Sequence, residues 1–163
     1  MRRKTRLKLA LPQFQVLVGT CLGYKAYRGF APLSELANIS KADIFDQAKN
    51  RLGTQRNLSL QHARKAYQYV SGTERAFYPE MILNVRDKSY VEFTPLQQKG
   101  KVQFGILSFT KDPTKTGKII VSRLDGNHRL WFGDGHERGM VPISRPVSFC
   151  LLTIEDRDKE LEL

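Results

Sequence analysis

A chain of 163 residues with 40% hydrophobic and 10% aromatic content is long enough to bury one core and too apolar to stay disordered. Its 27 Lys and Arg against 16 Asp and Glu leave a net charge of +11, which points to a polyanionic partner (nucleic acid, nucleotide or an anionic membrane face) unless the domain is simply basic. No apolar run approaches the ~18 residues of a membrane span, which excludes a spanning helix.

The chain opens on Met1–Lys8, where Arg2, Arg3, Lys4, Arg6 and Lys8 form a basic tail suited to nucleic-acid phosphates. A basic head before an apolar stretch resembles a signal peptide, but Pro12, Gln13 and Gln15 interrupt it, and the protein is expected in the cytoplasm. Gln15–Val18 and Lys25–Phe30 read as strands about a turn at Gly19–Gly23. Residues 1–30 are thus a tail and a leading hairpin, and residues 31–163 the main domain. Pro32 followed by Leu33, Leu36 and Ala37 predicts a short helix, with Ser34 and Glu35 near its start. Lys41–Lys49 is a second helical candidate. The polar loop RLGTQRNLS ends on Ser59, a good N-cap for a helix from Leu60 to about Val70 with an apolar face of Leu60, Ala63, Tyr67 and Val70. After the loop SGTERAFYPE come two short strands, MILNV and YVEF. VQFGILSFT and KIIVSRL flank the turn-rich KDPTKTG and predict a hairpin. PVSFCLLTI is the last strand. Strands interleaved with a few helices predict an α+β fold, a single domain with a mixed sheet. Cys21 and Cys150 lie far apart in apolar surroundings, without metal-type spacing, and read as buried free thiols of a reducing compartment.

One stretch breaks the pattern. In IIVSRLDGNHRLWFG, five polar or special residues stand between two apolar segments. If a helix starts near Asn127, its first N–H groups lack partners and favour an anion. Gly126 would let that anion approach the backbone, Arg129 would hold it bidentately, and Asn127 and His128 would add donors. Asp125 would cap the helix or hold a metal-bound phosphate. Trp131 would pack beneath the loop. The plainer alternative is an Asp-Gly turn carrying a surface His and Arg.

DGNHR after an apolar strand resembles the DGQHR motif of DGQHR-domain proteins, which include the DndB-type proteins of DNA phosphorothioation loci and belong to the wider ParB-like superfamily. GTQRNLSLQHARKAYQYV resembles that family's Gly-x-Gln-Arg segment, and FYPEMILNV its Phe-Pro-x-x-Ile strand. Order and spacing agree from about Ala31 onward. The resemblance implies a ParB-like domain in which Gln55 and Arg56 match the Gln-Arg pair, and Asp125, Gly126, His128 and Arg129 match the pentapeptide. Asn127 stands where the family has Gln, and Arg64 where its helix often has a basic residue. It further implies that the turn faces phosphates, to bind nucleotide, hydrolyse nucleoside triphosphates, cut DNA or hold it. Members continue past the last strand into a helix and often a further domain, whereas this chain reaches only EDRDKELEL.

The expected function is therefore a DNA-associated module of a bacterial or phage DNA-modification, restriction or defence system. It would bind nucleic-acid backbone or nucleotide through Gln55, Arg56, Gly126, Asn127 and Arg129, helped by the tail and Arg64, with other subunits of such a system as further partners. An alternative is an NTPase or nuclease using Asp125, His128 and Arg129 with a nucleoside triphosphate and Mg²⁺. Another is a non-catalytic protein-interaction subunit. His128, Asp134, His136 and Glu137 lack the spacing of a zinc site, and no metal ligands are assigned. Lys49, Arg51, Arg56, Arg64 and Lys65 form either a DNA-facing surface or a solvated one.

Overall fold

Period-two alternation sets the sheet. The computed structural model describes residues 10–131 and 140–163, so the expectations for Arg2, Arg3, Lys4, Arg6 and Lys8 and for Asp134, His136 and Glu137 fall outside the described residues. Strand β1 (Gln13–Cys21) turns every second side chain inward, among them Phe14, Val16 and Val18. It pairs antiparallel with β2 (Tyr24–Pro32) through a two-residue turn, Leu22 and Gly23, both with positive φ as a tight hairpin requires. The remaining strands are β3 (Met81–Val85), β4 (Val91–Lys99), β5 (Val102–Phe109), β6 (Val121–Asp125) and β7 (Pro146–Leu152). They form one seven-stranded sheet in the order β4-β5-β1-β2-β7-β3-β6. The β3–β7 pair runs parallel and the other pairs antiparallel, so the sheet is mixed. With four short helices among the described residues, α1 (Leu33–Ile39), α2 (Leu60–Ser71), α3 (Asn127–Leu130) and α4 (Arg157–Leu161), the protein is a single α+β domain. The leading hairpin supplies two interior strands of that sheet.

One face of the sheet carries the main core. Leu33, Leu36 and Ile39 of α1, Val70 of α2 and Leu130 of α3 pack with Val16, Leu83, Leu107, Phe149 and Leu151. Removing this apolar surface from water is the main stabilising term. The helix ends are closed by arginines from later in the chain. The Arg145 guanidinium donates to the carbonyls of Val70, Thr73 and Glu74 at 2.6–2.8 Å, covering the end of α2. Among the described residues no helix is long and apolar enough to cross a membrane.

Two expectations differ from what is observed. VQFGILSFT and KIIVSRL do not form a hairpin: β5 pairs with β4 and β1, while β6 lies at the far edge beside β3. The YVEF strand extends to Lys99 and returns through Gly100, φ +62°, so β4 takes the place expected for β6. The segment Lys41–Lys49 is not helical. Asp46 accepts from the backbone N–H groups of Ala48 and Lys49 at 2.8 and 3.0 Å, which favours a turn over a helix. Cys150 is buried as expected, but Cys21 is exposed because it ends β1 at the hairpin turn. Leu60, assigned to an apolar face, is largely exposed.

The second face is closed at one end by an ionic network. Glu160 of α4 has a fully buried carboxylate that accepts from Ser122, Arg86 and Arg157. Arg86 and Arg157 also reach Asp43 Oδ2, at 2.6 and 2.8 Å. Burial alone would raise the Asp43 carboxyl, but the hydrogen bonds from Arg86 and Asn50 and the two guanidinium charges outweigh it and hold the group below its ordinary value. Each carboxylate thus meets two arginines, so the network tolerates burial but not the loss of a member. Glu160→Ala should cost about 3–5 kcal/mol, because it strands two guanidinium groups. Urea unfolding checks this, and a loss below about 1 kcal/mol would mean that solvent screens the network.

Candidate functional site

The three segments singled out in the sequence meet at one end of β6. Gln55 donates from Nε2 to the carbonyl of Leu124 at 2.6 Å. The N–H of Ser59, the N-cap of α2, donates to Nε2 of His128 at 3.1 Å. Arg129 donates to the carbonyl of Pro79 at 2.5 Å and lies 5.8 Å from the ring centroid of Tyr78. The GTQR loop, the FYPE segment and the DGNHR turn therefore form one clasp. The loop is itself anchored. Gln55 N–H donates to Asp43 O at 2.9 Å, and Phe45 N–H to Gln55 O at 2.6 Å. A Cβ on Gly53 would lie 2.4 Å from Phe45 N, so only glycine lets these two backbones approach.

Each residue of the turn already has a task. Gly126 is buried with φ +93°, and a Cβ there would lie 2.5 Å from Met81 Sδ. Glycine is needed here for the left-handed backbone and the contact with Met81. Asn127 turns inward, 5% exposed, and its Oδ1 accepts from Arg123 Nη1 at 3.2 Å. Asp125 does not cap the helix. Its carboxylate, 60% exposed, accepts from Arg129 Nη2 at 2.9 Å. Arg129 is consequently neutralised by Asp125, bound to a carbonyl and stacked near Tyr78, whose phenol burial pushes up to about 12 despite the Arg129 charge. Helix α3 spans only Asn127–Leu130, with the N–H groups of Arg129 and Leu130 returning to the Gly126 carbonyl, and a single turn sums few peptide dipoles toward an anion. Trp131 is buried.

His128 takes up a proton less readily than a free imidazole. Burial lowers its affinity for a proton, and His62, 5.7 Å away edge-to-face, and Arg129 lower it further against the opposing pull of Asp125. Accepting from Ser59 N–H occupies the Nε2 lone pair, which is the one a general base would use. Arg56, in contrast, is exposed and makes no hydrogen bond or ion pair among the described residues. Arg64 lies on the exposed side of α2, and Lys49, Arg51 and Lys65 are exposed on the loop and helix that flank Arg56.

Sequence reasoning missed the residue at the centre. Arg123 is 0% exposed. It donates to Ser40 Oγ and Ser40 O, both at 3.0 Å, to Ala37 O at 3.1 Å and to Asn127 Oδ1 at 3.2 Å. A charged residue within the mainly apolar strand segment IIVSRL was the available signal.

Two outcomes follow from this geometry. Asn127→Ala should cost about 1–3 kcal/mol of unfolding free energy by leaving a buried guanidinium N–H unpaired, and should leave anion binding unchanged. Weakened binding at unaltered stability would restore Asn127 as a ligand donor. The folded His128 binds its proton less readily than the unfolded chain does. Its contribution to stability is complete above its ordinary value of 6.5 and is lost as pH falls through the lower folded value. The melting temperature should therefore decline on the acid side of that value. His128→Gln, whose side-chain carbonyl can still accept from Ser59, should remove this part of the decline, and parallel pH curves for the two proteins would count against it.

Compared with protein-family models, curated proteins and solved structures, the chain matches none of them. Its function is accordingly read from the residues themselves.

Proposed function

We propose that the protein is a nucleic-acid-backbone-binding module, a cytoplasmic and DNA-associated part of a DNA-modification or defence system. The observation that carries this reading is Arg56. It is an exposed guanidinium without a partner among the described residues, held beside Gln55, whose side chain is fixed on the Leu124 carbonyl. A planar fork on an anchored loop suits a phosphate. Lys49, Arg51 and Lys65 extend the cationic surface, and the net charge of +11 attracts a polyanion over longer range. The resemblance of GTQR, FYPE and DGNHR to DGQHR-domain proteins supports the DNA-modification setting, where nucleotide and other subunits are further candidate partners.

Binding is favoured over hydrolysis by the state of the groups hydrolysis would use. An NTPase or nuclease with Mg²⁺ would call on Asp125 and His128, and these are engaged by Arg129 and Ser59. In the binding reading the DGNHR turn supports the surface from behind, and Arg56 meets the phosphate.

Titration of labelled duplex DNA against salt tests this. Arg56→Gln should weaken all sequences alike and reduce the log–log salt slope by about 1, the share of one phosphate contact. Asp125→Asn should strengthen binding only if Arg129, once released, also reaches phosphate. An unchanged slope for Arg56→Gln, or magnesium-dependent nucleotide turnover lost in Asp125→Asn, would overturn the reading.

A further inference from the structure

The loop that presents Arg56 also presents an aromatic ring. Ile44 and Gln55 form an isolated parallel bridge, closed by Gln55 N–H to Asp43 O at 2.9 Å and Phe45 N–H to Gln55 O at 2.6 Å. Partners in such a bridge share one face, and the residues that follow them share the other. Gln55 turns to the Leu124 carbonyl. Phe45 and Arg56 therefore stand side by side on the opposite face of the paired backbones. Both are exposed, Phe45 by 47%. Among the described residues the Phe45 ring stacks on no other ring and lies under no cation.

The backbone beneath the ring is fixed. Gly53 presses against the backbone of Ile44 and Phe45 on one side. On the other, Asp46 and Asn50 exchange backbone hydrogen bonds at 2.9 and 2.7 Å, and the Asn50 side chain donates to Ile44 O at 2.8 Å. Holding an apolar ring in water on a rigid support lowers the ordering cost of binding a flat partner. The surroundings are positive. Lys49 and Arg51 are exposed on the same loop, whereas its carboxylates are engaged, Asp43 by Arg86 and Arg157 and Asp46 by the N–H groups of Ala48 and Lys49.

We infer that this loop takes single-stranded DNA, with Arg56 on a phosphate and Phe45 stacked on a base of the same strand. Cations that follow a backbone, combined with an aromatic face, are the means by which a single strand is held without reading its sequence. In the interior of a duplex each base face is covered by its neighbours, so the ring meets nothing flat and only the phosphates remain for the cations. The inference rests on the backbone-binding reading and adds to it the strandedness of the partner.

Three labelled probes test this by fluorescence anisotropy: an oligothymidylate of about 12 nucleotides, the same strand without bases, and a duplex of that length. Wild type should bind the oligothymidylate about tenfold more tightly than the abasic strand, the share of one stacked base. Phe45→Leu keeps an apolar side chain but removes the flat ring. It should lose that tenfold on the oligothymidylate and match wild type on the abasic strand and the duplex. Arg56→Gln should weaken all three. The abasic comparison uses wild type alone, so it stays decisive if Phe45→Leu fails to fold. Equal wild-type affinity for strands with and without bases would overturn the stacking inference, as would full oligothymidylate affinity in Phe45→Leu. Either result, with Arg56→Gln still weakened, leaves the backbone reading in place, whereas absence of binding to every probe would overturn both.

Discussion

A guanidinium removed from water needs several well-placed acceptors, and Arg123 dictates the arrangement of the chain around it. Stripping such an ion of water costs several kcal/mol, so its N–H groups must all be met. Two acceptors are carbonyls at the end of α1, Ala37 and Ser40, where orphan carbonyls and the helix dipole both favour a cation. A third is Asn127, four residues ahead. For Asn127 to turn inward so soon after the strand, the chain reverses through the left-handed Gly126. That reversal leaves Asp125 and Arg129 on the outer side, where they bind each other and Arg129 reaches Pro79. The pentapeptide thus has an inner half that satisfies a buried charge and an outer half that ties in a neighbouring segment.

This division separates arginines that build the protein from those it presents. Arg86, Arg123, Arg145 and Arg157 are spent on helix ends and buried carboxylates. Arg129 joins them through its carbonyl and carboxylate partners. The loop that carries Arg56 is continuous with the ionic network, because Gln55 bonds the backbone of Asp43, whose side chain meets Arg86 and Arg157. An exposed side chain on such a loop is aimed at solvent with little freedom in the backbone beneath it.

Legibility in the sequence followed the range of the interaction. The α2 N-cap at Ser59, the period-two burial of β1 and the helix after Pro32 are set by neighbours and were readable. That the GTQR loop and the DGNHR turn lie close together was anticipated from motif resemblance alone, whereas the contact of Arg129 with the FYPE segment was not anticipated. The positions of β6 and β7 were not readable, since nothing local to KIIVSRL says that it joins β3 rather than β5. Nor was the inward turn of Asn127, which depends on Arg123 being buried. Polar residues clustered at a strand end look alike whether they await a ligand or bind each other. Burial of a single arginine decides between the two, and burial is a tertiary property.

The place of β7 has a consequence for synthesis. Strands β4, β5, β1 and β2 form one hydrogen-bonded group and β3 with β6 another, and β7 bridges them by pairing with β2 on one side and β3 on the other. During translation both groups precede the bridging strand. Until it leaves the ribosome, β2 and β3 each present an open edge, the kind of template that recruits other extended chains. The nascent protein therefore passes through an interval of exposed pairing surface that ends only when β7 emerges, which makes expression level and chaperone supply relevant to its yield.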